Sequence, residues 1–245
     1  MMSERNIRIV IITVIILSLA AAGFIIFSSS PPGPGNITPL SPDHLIPLPA
    51  PDTTGMVSVE EALSGRRSVR EFAATPLEIS ELSQLLWAAQ GVTDPSGLRA
   101  APSAGALYPL EIYVACGNVN GLLPGVYHYL PGSHAVNRIV DRDVREDLSA
   151  SALGQSSVRD APAVIIIAAE YQRTTGKYGE RGIRYVHMEA GHAAENIYLQ
   201  AFTLGVGTVT IGAFDDSGVV SVLGLPGNQI PLYLMPIGKR PIQNF

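Results

Sequence analysis

Ala101-Pro102-Ser103-Ala104-Gly105-Ala106-Leu107-Tyr108-Pro109 runs directly into the apolar stretch 110–115. Small residues here let backbone amides approach a flat ligand, and the prolines fix the loop before a strand begins. An ordinary tight loop would have the same composition. Upstream lies Arg66-Arg67-Ser68-Val69-Arg70-Glu71-Phe72. Its guanidiniums repel one another unless an anion pairs with them, and the arginine fork suits a phosphate. A solvated basic turn reads the same way. Downstream, Ile211-Gly212-Ala213-Phe214 closes a strand pattern, and Gly238-Lys239-Arg240 follows the last one. Gly212 suits close backbone approach or simple strand termination. The two cations suit a phosphate or an ordinary chain end.

The segments between these stretches predict an α+β domain with one mixed central sheet between helices. Ser58 and Glu61 form a capping box opening a short helix, and 78–90 carries helical apolar spacing with Gly91 as its C-cap. Segments 126–130 and 135–140 read as a hairpin around Pro131-Gly132. Segment 143–153 reads as a helix. Ala163–Ala169 is an unbroken apolar run, as a central buried strand requires. Segment 183–204 is the longest helical pattern, and 207–211 and 230–237 read as strands.

Taken in order, the four stretches resemble the nitroreductase family of FMN enzymes, and within it the SagB-type dehydrogenases that oxidise thiazolines and oxazolines in peptides. The resemblance runs from about residue 57 to Arg240. It includes His187-Met188-Glu189-Ala190-Gly191-His192-Ala193-Ala194-Glu195-Asn196, which is similar to the family's long central helix. It implies an FMN site in which Arg66, Arg67 and Ser68 hold the phosphate and ribityl chain, completed by Lys239 and Arg240. Arg70 would reach the pyrimidine side, where its charge favours negative charge at N1–O2. Pro102, Ser103, Ala104 and Gly105 would line the ring from the other subunit, with Ile211 and Gly212 opposite, near N5. The implied assembly is a homodimer with FMN at the subunit junction. Lys177-Tyr178 resembles the pair that removes a carbon-bound proton in azoline-oxidising members; read without the resemblance, it is a polar loop between a strand and the long helix.

Composition sets the remaining expectations. The chain has 245 residues, 15% charged and 47% hydrophobic, with a net charge of -5. That balance argues against a nucleic-acid partner. A single cysteine, Cys116, excludes an internal disulfide and a cysteine-rich metal site. Residues 9–27 lack charge and would span about 28 Å as a helix, close to a bilayer's hydrocarbon core. This predicts a cytoplasmic 1–8, a single-pass anchor at 9–27, a Pro/Ser/Gly-rich linker at 28–52 and an extracytoplasmic domain at 53–245. A cleaved signal peptide is the competing reading of 9–27.

Other chemistries find little support. Gly205-Val206-Gly207 follows a helix rather than a strand, and Thr210 stands where a Rossmann fingerprint has its third glycine. His187 and His192 miss the four-residue spacing of H-E-x-x-H, and Ser103 lies in no G-x-S-x-G elbow. Three functions stay open: a SagB-type dehydrogenase acting on a modified peptide, an NAD(P)H- or quinol-fed reductase of quinones or nitroaromatics, and a non-catalytic flavin electron relay.

Overall fold

The computed structural model describes residues 45–241. Chain order places strand β1 at Leu45–Pro47, helix α1 at Val59–Gly65, β2 at Leu77–Glu78 and α2 at Ile79–Gln90. A short 3-10 turn at Ala104–Ala106 leads into β3 at Leu110–Cys116, followed by β4 at Val119–Asn120, β5 at Gly125–Leu130 and β6 at Ala135–Val140. Then come α3 at Arg145–Ser151, α4 at Ser156–Asp160, β7 at Ala163–Ala169, α5 at Tyr171–Tyr178 and α6 at Arg181–Thr203. The remaining elements are β8 at Val206–Thr208, α7 at Asp216–Leu223 and β9 at Ile230–Lys239.

The main sheet has 7 strands in the order β1-β6-β5-β3-β7-β9-β8. Every pairing in it is antiparallel, which corrects the expected mixed sheet. The parallel strand pair is β2 with β4, in a separate two-stranded sheet. An apolar run buried on both faces fits either direction, so the run itself could not decide the pairing. Strand β7 shows this well. Ala163, Ile165, Ile167 and Ala169 point into a core shared with α2 and α6, while Val164, Ile166 and Ala168 point into one shared with α3, α4 and α7. The sheet is therefore the middle of three layers.

Local signals explain the element ends. The Ser58–Glu61 capping box forms with both of its hydrogen bonds. Gly91 does cap α2, but at φ -61 rather than in the left-handed region expected of a terminal glycine. Its lack of a side chain serves contact instead: a Cβ there would lie 2.2 Å from Trp87 Cδ1. The hairpin β5–β6 forms around Pro131-Gly132 with Leu130 opposite Ala135. Strand β1 pairs with β6, so part of the stretch read as linker belongs to the sheet.

The predicted membrane-spanning helix, single-pass localisation and extracytoplasmic domain are corrected. No helix among the described residues is long and apolar enough to cross a membrane. The longest, α6, carries Arg181, Arg184, Glu189 and Glu195 along its length. Segments 1–8, 9–27 and most of the 28–52 linker lie outside the described residues.

Candidate functional site

Helix α6 organises the site, because most of the sequence-derived residues gather along its two halves. At the C-terminal half, Tyr198 and Phe202 stand one turn apart. The Arg66 guanidinium sits 4.9 Å from the Tyr198 ring centroid, and that of Arg240 sits 5.3 Å from the Phe202 centroid. Arg66 reaches this place as the residue ending α1; Arg240 reaches it as the residue after β9. Ser68 Oγ lies 3.2 Å from the Tyr198 hydroxyl, which also accepts from the Thr210 amide at 2.8 Å. Ser68 pairs in a bridge with Thr208, and the Val69 amide donates to the Thr208 carbonyl at 2.8 Å. Ile211 is fixed by reciprocal backbone bonds to Leu234, and Gly212 follows it, where a Cβ would lie in ordinary contact with the Tyr233 ring at 3.8 Å.

This half is arranged for an anion. Among the described residues, no carboxylate lies within ion-pair distance of Arg66, Arg67, Arg70 or Arg240. The Nε atoms of Arg66 and Arg240 and the hydroxyl of Thr208 are buried without a hydrogen-bond partner. Buried polar groups left unpaired are costly, so two unpaired arginines and the Thr208 hydroxyl in this half fit a phosphate-bearing ligand. Arg67 is turned back on its own backbone, donating to the Ser64 and Arg66 carbonyls, and Arg70 is exposed. Lys239 does not join the cluster. Adjacent residues of an extended chain face opposite ways, and its ammonium pairs with Glu81 at the start of α2.

The second half lies by the N-terminal part of α6. Lys177 and Tyr178 end α5, a helix in the stretch that also read as a polar loop. Both side chains meet Gly105. A Cβ built there would lie 2.7 Å from the Tyr178 hydroxyl and 3.0 Å from Lys177 Nζ. Gly105 has φ +65, which a side chain would strain. The loop is strained beyond it: Ala106 and Tyr108 have φ of 51 and 46, values uncommon for non-glycine residues. Ser103 accepts the Tyr108 amide at 2.9 Å. Tyr178 packs edge-on against Tyr185 of α6, ring centroids 5.2 Å apart.

Beneath this loop is Glu189, 2% exposed, with Oε1 unpartnered. Burial pushes its pKa up to about 7, against the opposing pulls of the Ser103 hydroxyl and Arg99. Arg99 donates to Gln90 Oε1 at 3.0 Å and covers the Tyr108 ring at 4.5 Å. Sequence reasoning missed Glu189 and Arg99, as it did Tyr198 and Phe202. One signal for Glu189 was present: helical spacing places it with Val186, Ala190 and Ala193, on the face buried in α6. A carboxylate at a core position calls for an explanation.

Within one chain the two halves stay apart. Glu189 and Tyr198 are nine residues apart on α6, about 14 Å along the helix. Arg66, Ser68, Ile211, Gly212 and Arg240 belong to one half. Pro102, Ser103, Ala104, Gly105, Lys177 and Tyr178 belong to the other.

The model of the nitroreductase family matches residues 63–239. The protein MJ1384 of Methanocaldococcus jannaschii, named as a nitroreductase, is 50% identical over 184 residues, covering 75% of this chain and 92% of that protein. The microcin B17-processing protein McbC of Escherichia coli is 29% identical over 155 residues, 61% of this chain and 57% of its own. A solved nitroreductase-type structure from Ralstonia eutropha JMP134 superposes with a TM-score of 0.71 at 31% identity, covering 83% of this chain and 95% of that one. The cation cluster, the strained small-residue loop and the match across the domain together place the chain in the nitroreductase family, as an oxidoreductase whose cofactor is FMN.

Proposed function

We propose that this oxidoreductase is a SagB-type dehydrogenase that oxidises a thiazoline, oxazoline or related C–N unit in a peptide. In this reading Lys177 and Tyr178 remove the carbon-bound proton. The observation that carries it is the convergence of the Lys177 ammonium and Tyr178 hydroxyl on Gly105, in the loop expected to line the flavin ring. The microcin-processing relative supports a peptide substrate.

Arg66, Arg67, Ser68 and Arg240 would hold the FMN phosphate and ribityl chain, with Arg70 at the pyrimidine side and Ile211 and Gly212 beside the ring. Bound FMN supplies a hydride acceptor at N5. Lys177 accepts the substrate proton, and the Tyr178 hydroxyl assists by hydrogen bonding beside the same substrate carbon. Glu81 neutralises Lys239, leaving phosphate binding on this side to Arg240.

The separation of the two halves along α6 supports a site completed by a second copy of the chain. Lys177 and Tyr178 then travel with the Pro102–Gly105 loop, since both belong to the same half. The outer surface suits such pairing: Ile183 and Met188 of α6 and Val59 and Leu63 of α1 are exposed. An apolar groove of ≈ 250 Å³ lies between α1, α2 and α6, lined by Val57, Ala62, Trp87 and Leu199 among others.

The test is turnover of a thiazoline-containing peptide by FMN-loaded protein, followed as loss of a hydrogen pair by mass spectrometry. Lys177→Ala and Tyr178→Phe should each lower kcat by about a hundredfold, the usual worth of a general base. Turnover equal to the parent's in both variants would remove the proton-abstraction role. The name carried by MJ1384 favours a second reading, an NAD(P)H-fed reductase of quinones or nitroaromatics. Rapid NADPH oxidation that ignores both substitutions would select it.

A further inference from the structure

One guanidinium ties the helix that carries Lys177 to the loop that Lys177 meets. Arg173 lies on α5 one turn ahead of Lys177. Its Nη1 donates to the Tyr108 carbonyl at 3.1 Å. Its Nη2 lies 2.5 Å from Glu111 Oε1 on β3 and 2.7 Å from Glu170 Oε2 just before α5. A surface ion pair of ordinary kind contributes little. Here the anchor is different, because the Glu111 side chain is 13% exposed. Its second oxygen meets His128 Nε2 at 2.6 Å, and His128 stacks on Tyr113 with centroids 4.6 Å apart. The Tyr113 hydroxyl in turn donates to Gln229 at 2.6 Å. Burial works to raise the Glu111 pKa, but the His128 and Arg173 contacts outweigh it and hold the carboxyl below its ordinary range. Arg173 is thus attached to a fixed, charged point on the central sheet.

The carbonyl it reaches is equally informative. Tyr108 has φ 46, and such a conformation persists only where its surroundings over-determine it. Each polar group of Tyr108 is held. Its amide donates to Ser103 at 2.9 Å, its hydroxyl accepts from the Arg99 amide at 3.2 Å, and its carbonyl accepts from Arg173. The first two partners belong to the loop and its approach. Arg173 alone among these partners comes from the helix bearing Lys177 and Tyr178.

We propose that Arg173 is a positioning residue, bridging α5 to the Tyr108 carbonyl with Glu111 as its anchor, so that Lys177 and Tyr178 keep their placement against Gly105. The proposal rests on the reading of Lys177 and Tyr178 as the proton-removing pair. It adds the part that sets their geometry. Arg173 itself touches neither substrate nor cofactor in this account.

Hydrogen exchange of the full-length protein, with and without FMN, tests this without any substrate. In Arg173→Gln, amides of 101–110 and of α5 should exchange about tenfold faster, as expected for losing one charge-assisted tie, while β7 amides keep their protection. Arg173→Lys should restore part of that protection, and Glu111→Gln should reproduce the same paired loosening with Arg173 intact. Arg159→Gln, which breaks an exposed pair with Asp160, should change neither segment. With an azoline substrate, Arg173→Gln should lower kcat and leave KM near its parent value. Unchanged exchange of 101–110 in Arg173→Gln and Glu111→Gln would overturn the proposal. So would loosening that spreads to β7, since that marks general support of the fold. Were Arg173→Gln to misfold, Arg173→Lys and Glu111→Gln would carry the same comparison. The catalytic reading fails separately: normal turnover by Lys177→Ala would discard it while the exchange result stood on its own.

Discussion

Gly105 faces Tyr178 so closely that a side chain at this loop position would collide with the candidate proton-removing pair. A Cβ at Gly105 would stand 2.7 Å from the Tyr178 hydroxyl, and the residue's φ is +65. Gly105→Ala should therefore do two things. It should lower stability by about 1 kcal/mol through backbone strain alone. It should also displace Tyr178 and Lys177 and lower turnover by more than that stability loss explains. Thermal unfolding and steady-state kinetics on the FMN-loaded protein check the two parts.

The two arginines stacked on Tyr198 and Phe202 should dominate the phosphate affinity. Arg66→Gln and Arg240→Gln should each weaken FMN binding by tenfold or more, at about 1.5–3 kcal/mol for a charge-assisted bond. Lys239→Gln should stay within about threefold of the parent, because Glu81 already holds that ammonium away from the Arg66–Arg240 cluster. Quenching of FMN fluorescence on titration into apoprotein measures all three.

Glu189 should make stability depend on pH. Its pKa in the fold is about 7, raised by burial from the 4.5 of an ordinary glutamate. The neutral form is the better buried one, so its contribution is fully present below about pH 4.5 and is lost as pH rises through about 7. Glu189→Gln keeps a neutral side chain at every pH. The difference in stability between parent and variant should fall across this window by something of the order of 3 kcal/mol. Denaturant unfolding at several pH values checks it, and parallel curves for parent and variant would contradict it.

How much of this was legible in the sequence follows from what each pattern can encode. The Ala163–Ala169 run, the Ser58–Glu61 box and the hairpin around Pro131-Gly132 are local statements, and they formed as read. Helix α5 was harder. Tyr171–Tyr178 is polar, short and holds Gly176, so its sequence matches a loop as well as a helix. Strand β1 lies in proline-rich sequence and forms at the sheet edge, where Pro47 is tolerated. Candidate site residues are easiest to propose where several chemical types cluster in sequence, as at Arg66–Ser68. Arg173 and Glu111 are 62 positions apart in the numbering of the chain and meet only through the fold. Lys239 and Arg240 are adjacent in sequence yet serve different partners, because an extended chain sends neighbouring side chains to opposite sides.

The most direct measurement is the absorption spectrum of the purified protein, with heat release and identification of its chromophore. The expected result is a flavin spectrum, FMN as the released species, and about one FMN per chain at saturation, each held by both halves of the site. Arg66→Gln combined with Arg240→Gln should lose the colour and need excess FMN to regain it. A colourless parent protein that cannot be loaded with FMN, or one that releases a different chromophore, would contradict the account.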